Sequence, residues 1–151
     1  FTLNSWIRPN SARRTSEWQK IPTRCRSPKG EWPPTLSSSV MAVQGELWTA
    51  DLNPVCGSEQ AGFRPVLVVS GNLMNAHLNV VWVCPLTSKL HGYAGNPQLQ
   101  PSTENGLSVP SEVLVVHLRS LDRSRLIQRL GCVDPEVMDV IHQTVAKILK
   151  Y

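Results

Sequence analysis

The sequence predicts a mainly β fold: a small barrel-like sheet with a helix laid over one face. Two observations carry that expectation. After Gly45, five or six short runs rich in β-branched and aromatic residues follow one another, mostly through loops of hairpin length. The last segment has an apolar stripe at helical spacing instead.

Residues 46–52 (ELWTADL) mix aromatic, β-branched and polar side chains, as a half-buried strand does. Asn53-Pro54 ends that strand, because proline has no N–H for a ladder. A polar, glycine-punctuated loop runs to Gly62, and residues 65–70 (PVLVVS) form a second strand. Residues 72–79 suit one or two helical turns. Residues 79–85 (NVVWVCP) give the strongest strand signal in the chain, with Pro85 closing it. Residues 91–106, rich in Gly, Pro, Asn, Gln and Ser, predict an exposed loop with a short edge strand near 98–100. Residues 112–118 (EVLVVHL) read as another strand and 126–133 as the last. Asp134 then caps a helix with Pro135 at its first position. Val137, Val140, Ile141, Val145, Ile148 and Leu149 form its apolar stripe.

The chain of 151 residues holds one domain and a tail, and 41% hydrophobic content supplies a core. Its charge of +4 is unevenly placed. Residues 1–40 hold seven of the basic groups against Glu17 and Glu31, for +5, whereas residues 41–151 sum to −1. Any nucleic-acid binding by the body therefore needs a local gathering of charge rather than a global field. With five prolines, seven serines and few aliphatic residues, 1–40 reads as a basic, disordered leader or as sequence upstream of a natural start at Met41. Trp6, Trp18 and Trp32 are the dissenting residues there. No apolar run reaches the ~18 residues of a membrane span, so no membrane partner is expected.

The four cysteines (Cys25, Cys56, Cys84, Cys132) make no C-x-x-C pair, which argues against a zinc ribbon. Cys84 lies in an apolar run, as a small buried hydrophobe does. A reducing, cytoplasmic setting fits. His77, His91 and His142 show no ligand spacing, and we read neither a metal site nor a cofactor.

Four segments carry more. Gly45-Glu46-Leu47-Trp48 leads to Asp51-Leu52-Asn53-Pro54, then to Gly57-Ser58-Glu59-Gln60-Ala61-Gly62-Phe63-Arg64-Pro65. Cys84-Pro85-Leu86-Thr87-Ser88 and Leu118-Arg119-Ser120-Leu121-Asp122 follow, with the Pro135 helix behind. In this order and spacing, residues 43–151 resemble the MazF/PemK family of toxins from type II toxin–antitoxin pairs. The resemblance implies an SH3-like small barrel of the MazF/PemK/CcdB-like kind. It implies a sequence-specific, metal-independent endoribonuclease that cuts single-stranded RNA, chiefly mRNA. It also implies a homodimer and a cognate MazE-like antitoxin whose acidic, flexible segment covers the RNA groove.

By the same resemblance Arg64 and Thr87 match the catalytic arginine and threonine. Metal-free cleavage can use the substrate 2′-OH as nucleophile, which needs a base, donors for the charged phosphorane and a proton for the leaving 5′-oxygen. A guanidinium fork suits phosphate oxygens, and a threonine hydroxyl can donate to the same group. Neither is an obvious base, and His117 and Glu59 both remain open for that role. Ser58, Glu59, Gln60, Ser88, Lys89, His117 and Arg119 are the candidate RNA-binding residues. Taken without the motif, an arginine before a strand is usually a solvated charge, and Thr87-Ser88 is ordinary turn chemistry.

Arg119, Arg123, Arg125 and Arg129 are the body's one cluster of positive charge, either a solvated face or a phosphate track. Trp48 and Trp82 could stack bases, though core or dimer packing is the plainer reading. The rival from another class is a CcdB-like toxin that poisons DNA gyrase by protein contact, which would not need Arg64 and Thr87. An inactive interaction barrel is the blandest option.

Overall fold

The computed structural model describes residues 41–150. The leader, its three tryptophans and Cys25 lie outside the described residues.

β1 (Glu46–Asp51) and β2 (Phe63–Val68) form an antiparallel hairpin, and α1 (Asn72–His77) leads into β3 (Val80–Thr87). β4 (Gln98–Leu99), β5 (Ser111–Val113), β6 (Arg119–Asp122) and β7 (Leu126–Cys132) follow, and α2 (Pro135–Leu149) ends the described chain. The strands make one curved sheet in the order β4-β5-β3-β2-β1-β7, with β6 also paired to β3. This is the mainly β, half-barrel sheet with a C-terminal helix that the sequence predicts.

Alternation along the strands gives the sheet two apolar faces. Leu47, Leu67, Cys84, Leu86 and Val113 point to one face, where Met138 and Ile141 of α2 cover them. Trp48, Ala50, Val66, Val68, Val81 and Val83 point to the other and pack with Leu52, Leu121 and Leu126. Burial pushes the Cys84 thiol up to about 12, so it is an inert part of the first core.

Several sequence expectations need correction. β2 starts two residues earlier than expected, so Arg64 lies inside the strand and not before it. β3 runs through Pro85 to Thr87. On one edge of β3, β6 pairs with Val80–Val83 and β5 with Leu86–Thr87, so the missing N–H of Pro85 falls in the gap between partners. Its carbonyl still accepts the Leu114 N–H at 2.9 Å.

Residues 112–118 are not one strand. β5 ends at Val113, a 3-10 turn occupies Val115–His117, and β6 begins at Arg119. Both strands pair with the same edge of β3, but the turn shifts the register by three residues. The apolar run had hidden that break.

The helix stripe is also narrower than predicted. Met138 and Ile141 are buried and Val137 and Val145 partly so, whereas Val140, Ile148 and Leu149 are exposed. Asp134 occupies the cap position with extended backbone but makes no side-chain cap bond.

The arginine cluster holds the fold together more than it faces solvent. Arg123 donates to the Asn75 carbonyl and Arg125 to the Asn53 carbonyl. Arg129 Nε meets Glu46 Oε1 at 2.6 Å. Glu46 is nearly buried, and its other oxygen accepts the Trp48 indole N–H at 3.0 Å and the Val43 N–H at 2.9 Å. Trp48 is therefore a core residue, closed to base stacking.

That carboxylate ties the first strand to the last. Removing it strips the Trp48 indole N–H of its acceptor and takes the Glu46 carboxylate from the Arg129 guanidinium, a loss of the buried-pair kind and not of the surface kind. Glu46→Ala should lower stability by about 3 kcal/mol, read as a lower urea midpoint with the slope unchanged. A loss below ~1 kcal/mol would put the pair among weak surface contacts.

Candidate functional site

Arg64 and Thr87 meet through the ladder. β2 and β3 pair Val68 with Val83, Leu67 with Cys84 and Val66 with Pro85. Extending that register by two residues sets Arg64 across from Thr87. Directly opposed residues share a face, and this is the face of Val66, Val68 and Val83. Both residues thus stand at one end of the sheet, where the second apolar cluster stops.

Each is held for donation. Arg64 is half-buried, and its Nε donates to the Ala61 carbonyl at 2.7 Å. That bond aims the guanidinium from the strand and leaves its two Nη groups for a ligand. Thr87 is nearly buried, and its Oγ1 accepts the Lys89 N–H at 3.2 Å. The hydroxyl proton stays available. Two donors converging from facing strands suit an oxyanion such as a phosphodiester.

Arg119 pairs with Val83, so its side chain shares this face. Glu59, from the β1–β2 loop, reaches it: Glu59 Oε2 lies 3.7 Å from Arg119 Nη1, too far for a hydrogen bond. Nη1 is buried and makes no hydrogen bond. Glu59 also receives the Cys56 N–H at 3.4 Å, which folds the loop tip. Ser58 and Gln60 flank it, Ser58 exposed and Gln60 half-buried. Ser88 and Lys89 are exposed directly after Thr87, and His117 is half-buried in the 3-10 turn before Arg119. The structure therefore gathers the β1–β2 loop, the end of β3 and the start of β6 at one end of the sheet. Of the four clustered arginines, Arg119 joins this end; Arg123, Arg125 and Arg129 have the structural bonds above. Trp82 is 48% exposed, the one tryptophan among the described residues with an open face.

One residue escaped sequence reading. Glu112 is the ladder partner of Thr87, and its side chain is fully buried on the same face. Oε2 accepts the N–H groups of His91 at 2.7 Å and Gly92 at 2.8 Å, and Oε1 accepts Asn96 Nδ2 at 2.9 Å. A carboxylate at the head of an apolar run was the available signal. Burial pushes its carboxyl up, but the Asn96, Gly92 and His91 hydrogen bonds and the nearby His91 charge outweigh it. The group sits below the usual glutamate value and holds the loop after Thr87 against β5.

Among the described residues, no three His, Cys, Asp or Glu side chains gather closely enough to hold a metal ion. No described helix is long and apolar enough to cross a membrane.

Residues 43–149 match the family model described as "PemK-like, MazF-like toxin of type II toxin-antitoxin system". Endoribonuclease EndoA of Bacillus subtilis is 29% identical over 107 residues, covering 70% of this chain and 92% of that protein. The crystal structure of MazF from Deinococcus radiodurans is 32% identical with a TM-score of 0.66, covering 75% of this chain and all of that one. A MazE-MazF structure from the same organism is 31% identical with a TM-score of 0.61, covering 74% and 97%.

A carboxyl held low in the folded chain adds stability that is complete above its unfolded value and is lost as pH falls through its folded value. We expect Glu112→Gln to lower the urea midpoint at neutral pH. The gap to wild type should begin to narrow as pH drops below the ordinary glutamate value of about 4.3 and should close as pH passes through the lower value of folded Glu112. A gap that stays constant down to about pH 3 would mean that the carboxylate charge does not anchor the loop.

Proposed function

Because the chain belongs to the PemK-like, MazF-like toxin family, we propose that it is an endoribonuclease toxin whose cleavage site is the Arg64–Thr87 end of the sheet. The observation that supports this most is the β2–β3 register, which brings both donors to one face. Single-stranded RNA, chiefly mRNA, is the substrate, and the cytoplasm is the place of action.

In this reading the substrate 2′-OH attacks the adjacent phosphorus, the bond to the 5′-oxygen breaks, and that oxygen takes up a proton from water as it leaves. Arg64 stabilises the negative charge that builds on the phosphorane, and the Thr87 hydroxyl donates to the same oxygens. Arg119 and Lys89 supply further positive charge along the strand, with Ser58, Gln60 and Ser88 as polar contacts. Two groups at this end can take the 2′-OH proton: Glu59, ion-paired to Arg119, and His117 in the adjoining turn. Glu59→Gln and His117→Gln, compared across pH, tell which acts. No cofactor is needed for this chemistry. A gyrase poison remains the other class, but the similar proteins are endoribonucleases by name, and that role gives Arg64 and Thr87 nothing to do.

A body near −1 gains a continuous RNA groove when two copies bring their basic groups together, so a homodimer fits. The cognate antitoxin is expected to lay an acidic segment over the same groove, in competition with RNA. The similar MazE-MazF structure supports an antitoxin partner.

Arg64→Ala and Thr87→Ala should each cut RNA about 10²–10³-fold more slowly, the effect of one lost oxyanion donor, with the fold retained. A folded Arg64→Ala that cuts at the wild-type rate would overturn the site. Since the four motif segments lie after residue 40, deleting residues 1–40 should preserve the cut sequence. It should weaken RNA affinity mainly at low salt, and a truncated protein inactive at every salt concentration would contradict that.

A further inference from the structure

We propose that His91 and Tyr93 form a stacking platform for one unpaired RNA base beside the cleavage site, an inference that rests on the reading of Arg64 and Thr87 given above. The two rings are already stacked, with centroids 5.3 Å apart and planes 11° from parallel. Both are exposed, Tyr93 at 62%. A flat aromatic pair with open surface is the feature that single-stranded RNA proteins use to hold splayed bases.

Position favours this use over a chance surface contact. The loop that carries the rings leaves β3 directly after Thr87. Glu112, the ladder partner of Thr87, stands on the face that Arg64 and Thr87 share and grips the backbone of His91 and Gly92. One buried carboxylate therefore ties the backbone at the start of this loop to the ladder position of Thr87.

The platform is also rigid. Asn96 donates its side-chain amide to Glu112 and its N–H to the Tyr93 carbonyl at 3.1 Å. Gly92, between the rings, has a φ of +68°, which lets the chain turn so sharply that both rings land on one side. At the far end Gly95 lies against α2, where Thr144 Oγ1 shares its one proton between the Gly95 carbonyl at 3.1 Å and the Val140 carbonyl at 2.8 Å. An added Cβ there would come within 2.7 Å of Thr144. A loop ordered before RNA arrives loses little further entropy on binding. Exposed Lys89, between Thr87 and the rings, adds attraction for the phosphates on either side of the stacked base.

The test uses a single-stranded RNA that wild type cuts, made uncleavable by a 2′-deoxy nucleotide at the scissile position, with affinity read by fluorescence anisotropy. Tyr93→Ala should bind it about tenfold or more weakly, the loss of one base–aromatic stack, whereas Tyr93→Phe should bind like wild type. Replacing the bases near the cut one at a time by abasic sites should reveal a single position where wild type loses affinity and Tyr93→Ala does not. His91→Ala should show the same indifference at that position. Thermal unfolding of these variants should match wild type, since both rings are exposed. Wild-type affinity in Tyr93→Ala would overturn the platform, as would an equal loss in Tyr93→Phe, which would assign the contact to the hydroxyl. Arg64→Ala, run beside them, should bind the RNA and cut its cleavable form about 10²–10³-fold more slowly. Normal cutting there would overturn the cleavage site and leave the affinity result to judge the platform alone.

Discussion

A slip of one residue between β2 and β3 would put Arg64 and Thr87 on opposite faces of the sheet. The two donors come from different strands, so only the ladder holds them together. What prevents the slip is burial on both sides. Leu67 and Cys84 belong to the core under α2, and Val66, Val68 and Val83 belong to the opposite core. A sheet with one wet face resists slippage with half its residues. Here every residue of the paired segment is buried, and the register is fixed with both sets of side chains.

Around that register the polar groups divide by task. Glu46 and Arg129 join the first and last strands, and Arg123 and Arg125 secure turns by binding backbone carbonyls. Glu112 secures the loop behind Thr87. The charges left at the site end are Arg64, Lys89 and the Glu59–Arg119 pair. A body with almost no net charge can therefore still present a positive end, because most of its other arginines are engaged in the fold.

Much of this was legible in the sequence, and the exceptions share a cause. Strand β1, the two turns of α1, β4, β7 and the position of α2 follow from local pattern and punctuation. The motif strings also point to Arg64 and Thr87 by type. Their facing arrangement is a non-local pairing that no window of sequence contains. The arginine cluster misled for the same reason: Arg125 binds a carbonyl 72 residues away and Arg129 a carboxylate 83 residues away. Glu112 looked like the polar start of a strand because its three donors come from a loop about twenty residues earlier. Pro85 was read as a terminator because sequence does not reveal that β3 changes partners at that residue.

The 3-10 turn at Val115–His117 bears on how this chain could vary in length. Before it, even-numbered Glu112 shares the face of Arg64 and Thr87; after it, odd-numbered Arg119 does, because the turn displaces the register by an odd number. Insertion or deletion of a single residue there, carried into β6, would rotate Arg119 to the far face and pull Leu121 out of its core. Surface loops usually tolerate such changes freely. Here a single-residue change keeps both faces only if the turn itself, and neither flanking strand, takes up the difference.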